Sequence, residues 1–197
     1  MTKIKCPHCG MTDIIDLLPL STDLLWEKLS EDELKYRYYC SGCDKYFGAT
    51  AYTDDGRQVI PYITGLCFYT GDYYKGFSQI GFRRHYPNCC TYKITMCRDD
   101  NHEEVLGRRA CGDLSRLIDS LYYDLFLDDW QRAYDAEESP KGTYWKLIIY
   151  IQDEEKREYG GSQEHPVYWN ELLALFQPYF NLTNRSMFYS ENTQVKV

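Results

Sequence analysis

The chain has 197 residues, a formal charge of −8 and ordinary globular proportions of apolar (44%) and charged (26%) side chains. Those values exclude a collagen-like chain, a coiled coil and intrinsic disorder. No apolar run reaches the roughly 18 residues of a membrane helix, and the acidity weighs against a general duplex binder, which gains its affinity by neutralising phosphates.

The first ten residues, MTKIKCPHCG, meet a cysteine pair before any apolar signal core could form, so the expected setting is a reducing cytoplasm. Cys6-Pro-His-Cys9 and Cys40-Ser-Gly-Cys43 make two C-x2-C pairs separated by thirty residues. A two-residue gap lets both thiolates of one tight turn face a single ion, and two such turns supply the four soft ligands of tetrahedral zinc. The spacing therefore predicts a structural zinc site at Cys6, Cys9, Cys40 and Cys43. His8 lies inside the first pair, but four cysteines already close the tetrahedron and leave no position for a catalytic water. Gly10 and Gly42 are expected to give the turns backbone freedom. Between the pairs, Leu24, Leu25, Trp26 and Leu29, with the capping-box pattern Ser30 to Glu33, predict a helical insertion.

CPHCG followed by Tyr38 to Phe47 (YYCSGCDKYF) resembles the zinc ribbon of bacterial transposase and transcription-type proteins. The resemblance covers about the first 50 residues. It implies a ribbon that touches nucleic acid, touches a protein partner or braces a neighbouring domain. The chain is accordingly divided into a ribbon (1–52), a body (53–180) and a polar tail (181–197). Composition changes along it: residues 1–52 carry a net −2, residues 53–110 a net +1 and residues 111–197 a net −7.

Residues 57–69 are rich in β-branched and aromatic side chains, Gly71 to Gly76 reads as a turn, and Ser78–Tyr86 and Thr91–Met96 are further strands about a Pro87-Asn88 turn. From Asp113 as N-cap, Leu114, Leu117, Ile118, Leu121, Leu125 and Trp130 recur at helical spacing and predict about six turns of helix. Ser139 to Gly142 breaks it, Tyr144–Ile151 is a strong strand, Asp153 to Gly161 closes a hairpin, and Pro166 opens a last helix carrying Trp169, Leu172, Leu173 and Phe176. Strands followed by helices without strict alternation predict an α+β fold: a small zinc ribbon, then a mainly antiparallel sheet packed with two helices. Trp130-x3-Tyr134, Gly142-Thr-Tyr-Trp145, Gly160-Gly-Ser162 and Pro166-x2-Trp169 resemble a module at the C-terminal ends of uncharacterised bacterial proteins, with Gln163 where that module has Asn. The resemblance implies a fold and no activity.

Other chemistry is sparse. His85, Cys89, Cys90 and Cys97 fall within thirteen residues and are candidates for a second metal, although their spacing matches no standard pattern. Cys89-Cys90 could cycle as a vicinal redox pair, and Cys111 before a helix could be an activated thiolate. The paired carboxylates read as solvated faces, His102-Glu103-Glu104 lacks the second histidine of a zinc protease, and no phosphate loop or nucleophile elbow occurs. The expectation is a protein that is not an enzyme.

Twenty tyrosines are the other departure from average usage. Tyrosine suits recognition surfaces and also suits strands with one solvated face, so both origins stand. Tyrosine combined with the acidic C-terminal part predicts an interaction protein, an inhibitor or adaptor that docks on a basic protein partner of nucleic-acid machinery. The alternative is direct nucleic-acid binding through the ribbon aromatics and Arg83, Arg84, Lys93, Arg108 and Arg109.

Overall fold

The computed structural model describes residues 3–18, 30, 32–53, 55–72, 76–86, 89–97, 103–112, 114–135, 143–153 and 156–181. A three-stranded antiparallel sheet, β1 (Ile14–Asp16), β2 (Tyr38–Cys40) and β3 (Lys45–Phe47), forms the ribbon. Ser30 and Glu33 make the expected reciprocal bonds, Ser30 N–H to Glu33 Oε2 at 2.7 Å and Glu33 N–H to Ser30 Oγ at 3.3 Å. They open a single 3-10 turn, Glu33–Lys35. The helix expected over Leu24 to Leu29 lies outside the described residues.

The body is built on a seven-stranded sheet. Its strands are β4 (Ile63–Asp72), β5 (Gly76–Tyr86), β6 (Cys89–Cys97), β7 (Glu103–Cys111), β8 (Ala133–Asp135), β9 (Thr143–Ile151) and β10 (Arg157–Ser162), in the order β7-β6-β5-β4-β9-β10-β8. Every pairing is antiparallel except β8 with β10, which is parallel. The expected α+β fold with a mainly antiparallel sheet is thus the one found. Strand β7 was not expected, because its charged residues hide the alternation. The Pro87-Asn88 turn, residues 73–75, the Ser139–Gly142 break and the tail beyond Asn181 lie outside the described residues.

The helix expected to run six turns from Asp113, itself outside the described residues, is much shorter. Helix α1 (Leu114–Asp119) widens into a π-turn over Ser120–Asp124, and the chain then reverses at Phe126, whose φ is +54°. A bulky side chain in the left-handed region is strained by about 1–3 kcal/mol. It is held there by rings: Phe126 meets Phe47 at 5.1 Å, Tyr38 at 5.5 Å and Tyr168 at 5.9 Å between centroids. Trp130, expected on the same helix, lies beyond this reversal and donates its indole N–H to Leu125 O. The last helix, α2 (Trp169–Asn181), carries the expected Leu172 and Phe176 inward, both fully buried.

Alternation along the strands sorts the sheet's two faces. One packs on the helices: Leu66, Phe68, Ile80, Leu147 and Ile149 are fully buried, with Phe68 stacked on Phe176 of α2 at 4.7 Å. Among the described residues no helix contributes a ring or hydrogen bond to the other face. There Arg83, Thr91, Lys146 and Tyr150 are exposed, while Cys67, Ile148 and Thr95 are buried beneath their neighbours. The ribbon belongs to the covered side. Cys6, Tyr38, Cys40 and Phe47 join the same apolar core as α1 and α2, so the division at residue 52 marks no break in packing. No helix among the described residues is long and apolar enough to cross a membrane.

Candidate functional site: a four-cysteine centre and an uncovered sheet face

Two turns of the same design bring the N-terminal cysteines together. Cys6 O accepts Gly10 N–H at 2.8 Å, and Cys40 O accepts Asp44 N–H at 2.9 Å. The residue four places on has positive φ in both, Gly10 at +77° and Asp44 at +56°. Gly42, expected to supply that freedom, does not adopt positive φ; the left-handed residue of that turn is Asp44. Backbone N–H groups of His8 and Cys9 reach the Cys6 sulfur, and those of Gly42 and Cys43 reach Cys40.

The four sulfurs lie within 4.8 Å of one another, with Cys6–Cys43 at 3.6 Å and Cys9–Cys40 at 3.7 Å. A tetrahedron with metal–sulfur bonds of about 2.3 Å has edges of about 3.8 Å. The cluster therefore fits a single ion and can hold a metal. Burial and then the adjacent sulfurs push the Cys43 thiol up, a cost that a bound cation would reverse. His8 is exposed.

The centre is latched to the far end of the chain. Lys5 N–H donates to Tyr168 Oη at 2.9 Å, that hydroxyl donates back to Lys5 O, and Lys5 Nζ pairs with Glu171. A second tie runs from Gly48 N–H to Asp129 Oδ2 at 2.9 Å. Burial raises the Asp129 carboxyl to about 6, opposed by that bond and aided by Asp128.

The second expected cysteine group does not assemble. Cys90 and Cys97 are seven residues apart on β6, about 23 Å at strand rise, too far for one ion. Cys90 is disulfide-bonded, which removes its sulfur as a thiolate ligand and departs from the uniformly reduced cysteines expected of the chain. Its backbone position is directly opposite Cys111 on β7, while Cys89 is opposite Tyr86. His85 shares a 2.8 Å hydrogen bond with Thr91 Oγ1.

The five basic residues divide by strand parity. Arg83, Lys93 and Arg108 take register positions on the uncovered face, where Lys93 is opposite Arg108 and Thr91 opposite Arg83. Arg84 and Arg109 take the alternate positions. Arg84 reaches Pro61 O and Ser115 Oγ on the helix side, both at 3.5 Å.

The uncovered face also gathers aromatic residues that the sequence did not single out. Gly71 separates Tyr144 from Phe77 across β9, β4 and β5, and those rings approach to 6.4 Å over it. A Cβ on Gly71 would lie 2.6 Å from Phe77 Cα, so this approach requires glycine. Tyr69 stands 5.9 Å from Phe77, and Tyr150 lies opposite Gly65, six residues along β4. The spacing from Gly71 to Gly65 makes the ring-bearing strip about 20 Å long. Lys146 and Lys156 both pair with Glu158, whose carboxyl they hold below its usual range. With Arg83 and Lys93, four described cations thus accompany two described carboxylates, Glu158 and Asp135, on this face. The pattern Tyr144-x-Lys146-x-Ile148-x-Tyr150 was the available signal.

No protein-family model, curated protein or solved structure matches the chain.

Proposed function

We propose that the protein is a non-catalytic, zinc-braced binder of single-stranded nucleic acid. Four thiolates in a closed tetrahedron select zinc, and the packing of Cys6 and Cys40 in the common core gives that ion a bracing role. One observation carries the nucleic-acid reading: Tyr69, Phe77, Tyr144 and Tyr150 share with Arg83, Lys93 and Lys146 the sheet face that no described helix covers. Rings stack on bases of any sequence, while the cations follow the phosphates, so such a strip holds a flexible strand even on an acidic protein. Duplex DNA would present its stacked bases out of reach.

The tyrosine count gives less support to an acidic docking surface. Of the sixteen tyrosines whose side chains are described, only Tyr52, Tyr123 and Tyr150 are exposed. The cavity of about 550 Å³ between ribbon, π-turn and α2 does not favour a basic partner either, since Lys3 and Arg37 line it beside Asp124 and Glu171.

Fluorescence anisotropy of the zinc-loaded chain with labelled 12-nucleotide oligo(U) and oligo(dT) at 50 and 200 mM salt tests the proposal. The expected result is binding that weakens with salt and falls further in Arg83→Ala/Lys93→Ala, with duplex bound more weakly. Absence of single-strand binding at 50 mM salt overturns it.

A further inference from the structure

The uncovered face is not uniform along its length. At the Tyr144 end it deepens into a cavity of about 740 Å³, walled by the rings of Tyr69, Phe77 and Tyr144 and reaching the edge strand β8. The register sets one cross-strand row there: Asp135 on β8, Ser162 on β10, Tyr144 on β9, Gly71 on β4 and Phe77 on β5. Row members share a face of the sheet. Two strand spacings put Asp135 about 10 Å from Tyr144. Between them stands the short side chain of Ser162, and in the next row β10 carries Gly160, where a Cβ would lie 2.8 Å from Trp145 O. The row therefore has a ring at one side, a shallow floor and a carboxylate at the other.

Among the described residues the Asp135 carboxylate has no ion-pair or hydrogen-bond partner, whereas Glu158 in the same cavity is occupied by two lysines. An ionised carboxylate only accepts hydrogen bonds, and it accepts two side by side. A flat aromatic ligand with two adjacent N–H donors on one edge satisfies both the ring and the carboxylate. Among the common nucleobases guanine alone has that edge, at N1–H and the N2 amino group. Adenine and cytosine each offer one exocyclic amino group beside a ring acceptor, which a carboxylate repels, and uracil offers a single N–H between two carbonyls. Arg132 at the cavity wall leaves a cation beside the strand's phosphates.

We infer that this cavity is a guanine-preferring base subsite, with Tyr144 as the stacking platform and Asp135 as the acceptor of the guanine edge. The inference rests on the nucleic-acid reading above and adds sequence preference to it. Binding is compared by anisotropy for a labelled 12-nucleotide oligo(U) and for versions carrying one central guanosine, inosine, adenosine or cytidine. The guanosine version is expected to bind roughly ten- to hundred-fold tighter than oligo(U), as one bidentate pair provides. Inosine, which keeps N1–H and lacks the amino group, should fall between, and adenosine and cytidine should match oligo(U). Asp135→Asn should abolish the guanosine gain while leaving oligo(U) affinity within about two-fold, and Tyr144→Ala should weaken every oligonucleotide. Equal binding of all five overturns the inference and leaves the nucleic-acid reading standing. A preference for adenosine or cytidine, or a guanosine gain that survives in Asp135→Asn, also overturns it. Failure of every oligonucleotide to bind overturns both.

Discussion

The two faces of the seven-stranded sheet are made by the same strands and do opposite work. On the covered side, Phe68 and Leu147 meet α2 and the ribbon-linked core with no exposed surface. One residue along, Tyr69 and Lys146 occupy the uncovered side, where Tyr150 keeps 40% of its surface and glycines stand at Gly65, Gly71, Gly81 and Gly160. Strand alternation separates most stabilising positions from contact positions, with Cys67, Thr95 and Ile148 buried on the contact side. Substitutions one residue apart should then have effects of different kinds.

The largest effect should come from the four-cysteine centre, which can hold a metal beside the ribbon rings of the covered side. Cys9 is exposed, so Cys9→Ser removes a ligand without removing packing. It should lower unfolding free energy by on the order of 5 kcal/mol or more, measured by urea denaturation, and chelation should do the same to the parent chain. An unchanged midpoint in both would detach the ribbon from the core. Next in size, Phe68→Ala should cost about 3–5 kcal/mol through its cavity. Its counterpart Tyr150→Ala should stay within about 0.5 kcal/mol, and similar losses from both would break the distinction between the faces.

A pH-dependent effect concerns a polar group admitted to the covered side. The folded Asp129 carboxyl titrates at about 6 against an ordinary 3.8. Between those values the folded state binds more protons than the unfolded one, so its contribution to stability falls as pH rises through about 4 to 6 and levels off above. Asp129→Asn keeps an acceptor for Gly48 N–H and should flatten that window. At pH 7 it should gain up to about 3 kcal/mol. Thermal melts from pH 4 to 7.5 check both points, and a parent curve with no slope in that range would remove the argument.

The parts legible from sequence were those governed by local spacing. The four cysteines needed only two short turns, and the strands at Tyr144–Ile151 and Ser78–Tyr86 announced themselves by composition. Helix α1 was overread because Leu121, Leu125 and Trp130 keep helical spacing, while the ring cluster of Tyr38, Phe47 and Tyr168 turns the backbone at Phe126. That is a tertiary force acting from residues far along the chain. Strand β7 was missed because Glu103, Glu104, Arg108 and Arg109 occupy an edge strand, where charge is tolerated and apolar alternation is not required. The basic residues were recognised as a group, but their division between faces depended on register. The aromatic strip was missed because its members come from β4, β5 and β9, and no single segment displays it.

The latch between Lys5 and Tyr168 spans 163 residues. Synthesis at 5–20 residues per second separates the emergence of Phe47 from that of Tyr168 by roughly 6–24 s. The cysteines can therefore meet a metal well before Tyr168 arrives to close the ring cluster in which Phe126 packs on Tyr38 and Phe47. The nascent chain passes through a stage in which a finished ribbon displays bare rings, and its yield in a cell should depend on what shields those rings until Phe126 and Tyr168 arrive.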